Sequence, residues 1–171
     1  MANTQKKIQK SSKVLFFVFL ICACSGVLQG LDVLWGLVHL LLNPTDAWAK
    51  YAALLPYGDS TALCLYWGCR TLIWACLAAA FLLLCLIFRS ISREYTPFRQ
   101  IHVRRLRQAS VLMTAGYFFE IVQNTMYRAW AQGGQGIPFR LDPFLVPIAL
   151  FGLSYILDYA CQLQNEADTT L

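Results

Sequence analysis

Four long apolar stretches dominate this chain, at residues 14–42, 62–88, 109–130 and 143–164. Each is at least as long as the roughly 20 residues an α-helix needs to cross the hydrocarbon core of a bilayer. Short connectors join them, so almost nothing remains for a separate soluble module. Charged residues make up 13% of the chain, against about a quarter in a soluble domain. The fold class expected is all-α: an integral membrane four-helix bundle formed by one domain over residues 1–171.

The breaks between the stretches are chemically marked. Asn43-Pro44-Thr45 ends the first, because proline cannot continue a helix and restricts the residue before it. Pro56-Tyr57-Gly58-Asp59 marks a turn in a semi-apolar connector. Thr96-Pro97 reads as a helix start, with Thr96 as cap and Pro97 in the first turn. The third helix is thus expected over 97–130, with a basic extension outside the membrane at 97–108. Gly133-Gly134-Gln135-Gly136 is a flexible turn, and Asp142-Pro143 restarts the chain as a helix by the same capping logic.

Basic residues set the orientation. Lys6, Lys7, Lys10 and Lys13 crowd the N-terminus, and Arg89, Arg93, Arg99, Arg104, Arg105 and Arg107 crowd one connector. Lysine and arginine in short loops favour the cytoplasmic side, so both termini are expected in the cytoplasm of a multi-pass inner-membrane protein. Trp35, Trp48, Trp67 and Trp130 fall near the opposite boundary, as an aromatic belt requires. The N-terminal lysines, the apolar run and Ala23-Cys24-Ser25-Gly26 resemble a secretory signal, and Ile21-Cys22-Ala23-Cys24 resembles a lipoprotein box. The apolar pattern continues well past both, so the segment is read as a retained first helix. The basic balance is topological, and direct nucleic-acid binding is not expected.

Several polar residues lie where a bilayer tolerates them poorly. The first helix carries Cys22, Ser25, Gln29, Asp32, Gly36 and His39 at steps of three and four, which makes one stripe. The second helix adds Tyr66 and Arg70, and the third adds Glu120, Gln123, Asn124 and Tyr127. Counted inward, Asp32 is ten residues from Leu42, Arg70 eight from Ala62 and Glu120 ten from Trp130. At 1.5 Å per residue these levels agree within about one turn. Arg70 is therefore expected to pair with Asp32, Glu120 or both. Gln29, Asp32, His39, Arg70, Glu120, Gln123 and Asn124 are the candidates for ligand binding or proton coupling; an ion-pair network that only fixes helix packing is the plainer alternative.

No catalytic residue, cofactor or metal site is expected. There is no His-Glu-x-x-His helix, no Gly-x-Ser-x-Gly and no phosphate-cradling glycine loop. The seven cysteines lack Cys-x-x-Cys spacing and read as small apolar residues between helices. On the cytoplasmic side, the arginine-rich connector would face a short tail carrying Glu166 and Asp168. Topology and attraction to anionic headgroups are the plainer explanation of the arginines, and a docking surface for a cytoplasmic partner is a second that is compatible with it.

The segment Thr96-Pro97-Phe98 with Val103-Arg104-Arg105-Leu106-Arg107, and the ending Leu163-Gln164-Asn165-Glu166-Ala167-Asp168-Thr169-Thr170-Leu171, resemble motifs of a family of small bacterial membrane proteins. That family is catalogued as domain of unknown function 2975. Its ending follows a pattern like Leu-Gln-x-Glu-x-Asp-x-Thr with a final Ile or Leu. The resemblance implies a four-helix membrane protein over nearly the whole chain, without assigned activity. It also implies a cytoplasmic partner, since genes of the family often neighbour a small helix-turn-helix regulator. Phe98, Arg104, Arg105, Arg107, Glu166 and Asp168 then become the candidates for partner binding.

The leading expectation is a non-enzymatic membrane sensor, or a protein that sequesters a DNA-binding regulator. One alternative is a small homo-oligomeric transporter or channel subunit that uses Glu120 and Asp32. Another is a structural subunit of a larger membrane complex, with the apolar fourth helix as its contact face.

Overall fold

The computed structural model describes residues 2–43, 45, 60–94, 99–134, 136–137, 139 and onward to 169, with side chains left out at 2–6, 60, 94 and 168. Among the described residues the chain is helical and has no strand. Four α-helices follow one another: α1 at Ala2–Leu42, α2 at Ser60–Glu94, α3 at Gln100–Ala131 and α4 at Leu145–Thr169. Three helical stretches are long and apolar enough to cross a membrane: Lys7–Leu42, Thr61–Arg93 and Asp142–Ala167. α3 is not among them. Arg104, Arg105, Arg107, Glu120, Gln123 and Asn124 dilute its apolar character.

Helix ends follow local chemistry. The Asn43 N–H donates to the His39 carbonyl at 2.9 Å, directly before Pro44. α3 begins after Arg99, which is extended and supplies no side-chain cap. The start expected at Thr96-Pro97 lies outside the described residues. At the other end of α3, Gly133 adopts φ +61°, a conformation natural only to residues without a Cβ. This turns the chain so that the Gly134 N–H reaches the Arg128 carbonyl at 3.0 Å. Asp142 does not cap a helix as expected. Asp142–Phe144 is a single 3₁₀ turn leading into α4, and the Asp142 carboxylate instead takes two bonds from Arg140, at 3.2 and 3.1 Å.

Among the described residues, extensive packing joins consecutive helices only: α1 with α2, α2 with α3, and α3 with α4. Neighbours run antiparallel. On α1, Gly26, Gly30 and Gly36 face Ala78, Trp74 and Trp67 of α2. A Cβ added at Gly36 would sit 3.2 Å from the Trp67 ring, so this seam closes only because small residues line it. Ala23, Val33 and Leu40 complete the buried face. Between α2 and α3 the core comprises Ala80, Leu84 and Ile87 against Leu106, Ala109 and Met113.

The outward surface is apolar. Ile21, Leu28, Trp35 and Leu42, spaced by seven, are 65–75% exposed on α1 (68%, 67%, 71% and 74%). Ile148 and Ile156 are similarly exposed on α4. Such a surface is costly in water and natural against lipid.

Candidate functional site

Polar groups gather in two places, one toward each end of the helices. Toward the end formed by Leu42, Thr61 and Ala131, Arg70 leaves α2 between two lines of contact. It lies three residues after Trp67 and four before Trp74, which face α1, and three before Ile73, which faces Gly116 of α3. Asp32 stands at nearly the same level, since Gly30 is opposite Trp74 and Gly36 opposite Trp67. The levels therefore agree as residue counting expects.

The expected ion pair is nevertheless absent. Among the described residues no salt bridge joins Arg70 to Asp32 or Glu120. The Arg70 guanidinium lies over the Trp67 ring, 5.7 Å from its centroid, and is half-buried. Asp32 is exposed on the flank of α1, one residue away from the buried Val33. The reason is geometric. The small-residue seam turns the α1 face of Gly26, Gly30, Val33 and Gly36 toward α2; of the stripe, Gly36 joins this seam, while Ser25, Gln29, Asp32 and His39 lie exposed beside it.

The remaining candidates separate accordingly. Gln29 is exposed and donates to Ser25 Oγ at 3.2 Å, and His39 is exposed near the end of α1. Glu120 is half-buried and lines a narrow recess of about 20 Å³ with Asn124, Arg140 and Phe144. Space of that size admits a water molecule and little more. Gln123 is half-buried on the same helix, and Asn124 is exposed. Tyr66 and Tyr127 join α2 to α3 with ring centroids 6.3 Å apart. The seven candidates thus do not form one compact site.

Toward the other end, a network ties α3 to α4. The Arg107 guanidinium donates to Asp158 Oδ2 at 2.8 Å and to Ser154 Oγ at 3.3 Å, and it lies 4.9 Å from the Tyr155 ring centroid. Gln100 Nε2 donates to the other Asp158 oxygen at 2.9 Å. Ser154, fully buried, donates to the Phe151 carbonyl at 2.6 Å. Deeper along the same seam, buried Ser110 donates to the Pro147 carbonyl at 2.7 Å. Hydrogen bonds to charged groups of this kind are short and strong.

This network alters the picture of the arginine-rich segment. Arg107 was expected on a docking surface but is committed to α4. Arg105 donates to the Leu86 carbonyl of α2 at 3.3 Å. Arg104 remains exposed, as does Glu166 near the end of α4. Phe98 and the Asp168 side chain lie outside the described residues. Sequence reasoning did not single out Gln100 and Ser154 as partners of Asp158 and Arg107, or Ser110 as the donor to Pro147. The signal available was spacing: Gln100, Arg107, Ser110 and Thr114 share one helical face, as do Pro147, Ser154 and Asp158.

At the level of this network, near the arginine-rich end, an apolar cavity of about 270 Å³ is walled by all four helices. Its lining includes Phe19 of α1, Leu84 of α2, His102 and Leu106 of α3, and Leu150 and Leu157 of α4. Flanking arginines hide His102 as a core residue; it is 1% exposed.

No family model matches the chain, and no curated protein or solved structure matches it either.

Proposed function

We propose that this chain is a non-enzymatic, multi-pass protein of a bacterial inner membrane. It would cross four times as a four-helix bundle with both termini in the cytoplasm, and would sense a signal or hold a cytoplasmic DNA-binding regulator. The observation that carries this reading is the antiparallel succession of helices. It gathers Lys7, Lys10 and Lys13, Arg89 and Arg93, and Arg99 to Arg107 at one end. That is the asymmetry expected of a cytoplasmic face.

The crossing of α3 follows from its neighbours. It packs between α2 and α4, both apolar enough to span, and Arg105 and Arg107 turn toward those helices rather than outward. The regulator rests on the family resemblance, an analogy of fold and gene setting. The surface available to it would comprise Arg104, Glu166 and the residues around them.

Reporter fusions at residues 95 and 171 and at residue 135 test the topology: the first two should report cytoplasmic, the third external. An external signal at residue 95 removes the reading. Capture from native membranes should then recover a helix-turn-helix protein with the full chain and lose it when residues 162–171 are deleted.

The uncompensated Asp32, Arg70 and Glu120 favour a second reading, an oligomeric transporter or channel subunit, because ionisable groups in a membrane mark conduction paths. A proton or cation flux in liposomes, abolished by Glu120→Gln, would select it.

A further inference from the structure

We propose that the cavity walled by all four helices binds a medium-length acyl chain, supplied either as a free fatty acid or by a membrane phospholipid. The inference deepens the sensor reading by giving it a ligand class.

The walls argue for such a guest. Leu84 and Leu106 are 4% and 7% exposed and form the floor with Ile87, while Phe19, Leu150 and Leu157 form the sides. The volume, about 270 Å³, is nearly twice that of the roughly 150 Å³ apolar cavity that stays dry and takes up benzene. Water gains nothing in a space so poor in partners. A hydrocarbon regains the dispersion contacts that the lining atoms otherwise lose. One lining group departs from this pattern: the His102 imidazole, which is 1% exposed.

Entry is open from the side. Leu153 also lines the cavity but is 49% exposed, so the wall is thinnest along α4, on the apolar outer surface. A chain already dissolved in the membrane could enter there without crossing water.

The position gives occupancy a consequence. Among the described residues extensive packing joins only consecutive helices, and this cavity is where side chains of α1 and α4 line one space. A guest reaching from Phe19 to Leu157 links them, beside the ends that carry Lys13, Arg105 and Glu166.

The test uses the full chain in detergent with two photoreactive probes: diazirine-labelled decanoic acid and a phosphatidylglycerol with the same group in its acyl chain. At least one should label peptides around Phe19 and Leu150 to Leu157 saturably. Leu150→Trp, which fills the cavity, should cut that labelling about tenfold, equivalent to about 1.4 kcal/mol, with helical content unchanged by circular dichroism. Leu157→Phe provides the same comparison if the first variant does not fold. Labelling by the acid alone identifies a free fatty acid as the source, and labelling by the phospholipid alone identifies a lipid chain. Unsaturable labelling spread over exposed positions away from the cavity, such as Trp35 and Leu42, or labelling unaffected by both variants, overturns the proposal. That result leaves topology and regulator capture standing, so the two failures are distinguishable.

Discussion

Arg107 on α3 and Asp158 on α4 form an ion pair at 2.8 Å, and Gln100 and Ser154 complete the coordination of both groups. Their side chains are 39% and 24% exposed, so the pair is shielded on the protein side and open on the other. Removing one partner leaves the other charge without compensation, which usually costs more than removing both. Arg107→Leu and Asp158→Leu should therefore each lower the melting temperature in detergent, and the double variant should lose less than the two losses combined. Strict additivity in that double-mutant cycle would show that the pair does not hold α3 to α4.

Gly36→Leu should be destabilising. Its absent Cβ would meet the Trp67 ring at 3.2 Å, and a leucine there must push α1 off α2. Overpacking of this kind costs about 1–3 kcal/mol. Gly152 on α4 is the control: no atom stands within 4 Å of its Cβ position. Gly152→Ala should be neutral or stabilising by up to about 1 kcal/mol through helix propensity. Chemical denaturation of the two variants in mild detergent compares them, and equal effects would contradict the seam.

Arg70 and Asp32 should behave as independent sites. They share a level but no ion pair, so the effects of Arg70→Leu and Asp32→Leu on stability should add within about 0.5 kcal/mol. A coupling above about 1 kcal/mol would mean that the two charges meet after all. The same measurement on Arg70 and Glu120 extends the comparison to α3.

Ser110→Ala removes the buried hydrogen bond to the Pro147 carbonyl. That carbonyl belongs to the first turn of α4, and Pro147 is itself fully buried. The expected loss is about 0.6–1 kcal/mol, the range for hydrogen bonds between helices in membranes and in folded proteins. Ser110→Thr keeps a hydroxyl and serves as a check that the bond, rather than the bulk, matters. Thermal unfolding of the two variants should separate them, with alanine the less stable.

Much of the fold was legible because apolar length and proline positions are local signals. Pro44, the glycines at 133 and 134 and the apolar run before each mark helix ends without reference to the rest of the chain. Depth was legible too: counting residues put Asp32 and Arg70 at one level. Azimuth was not. Which face of α1 meets α2 depends on Gly26, Gly30 and Gly36 allowing closer approach than Gln29 or Asp32 could, a competition between faces that spacing alone does not decide. His102 was hidden for a related reason. Val103 and Leu106 turn its side of α3 inward, while Arg104 on the next face stays in the open. The network around Asp158 required knowing that α3 and α4 are antiparallel neighbours, information absent from either helix alone.

The modest apolarity of α3 bears on how such a chain is made. A segment with three arginines in its first turns and a glutamate at its middle enters lipid reluctantly on its own. α1 and α2 can enter as a finished hairpin, since their seam is complete between them. If α3 crosses the membrane as proposed, its retention there would draw on α4, whose Asp158 and Ser154 engage Arg107. On that reading the last quarter of the polypeptide helps to retain the third, and a chain truncated before residue 145 should hold α3 in the membrane less firmly than the full chain does.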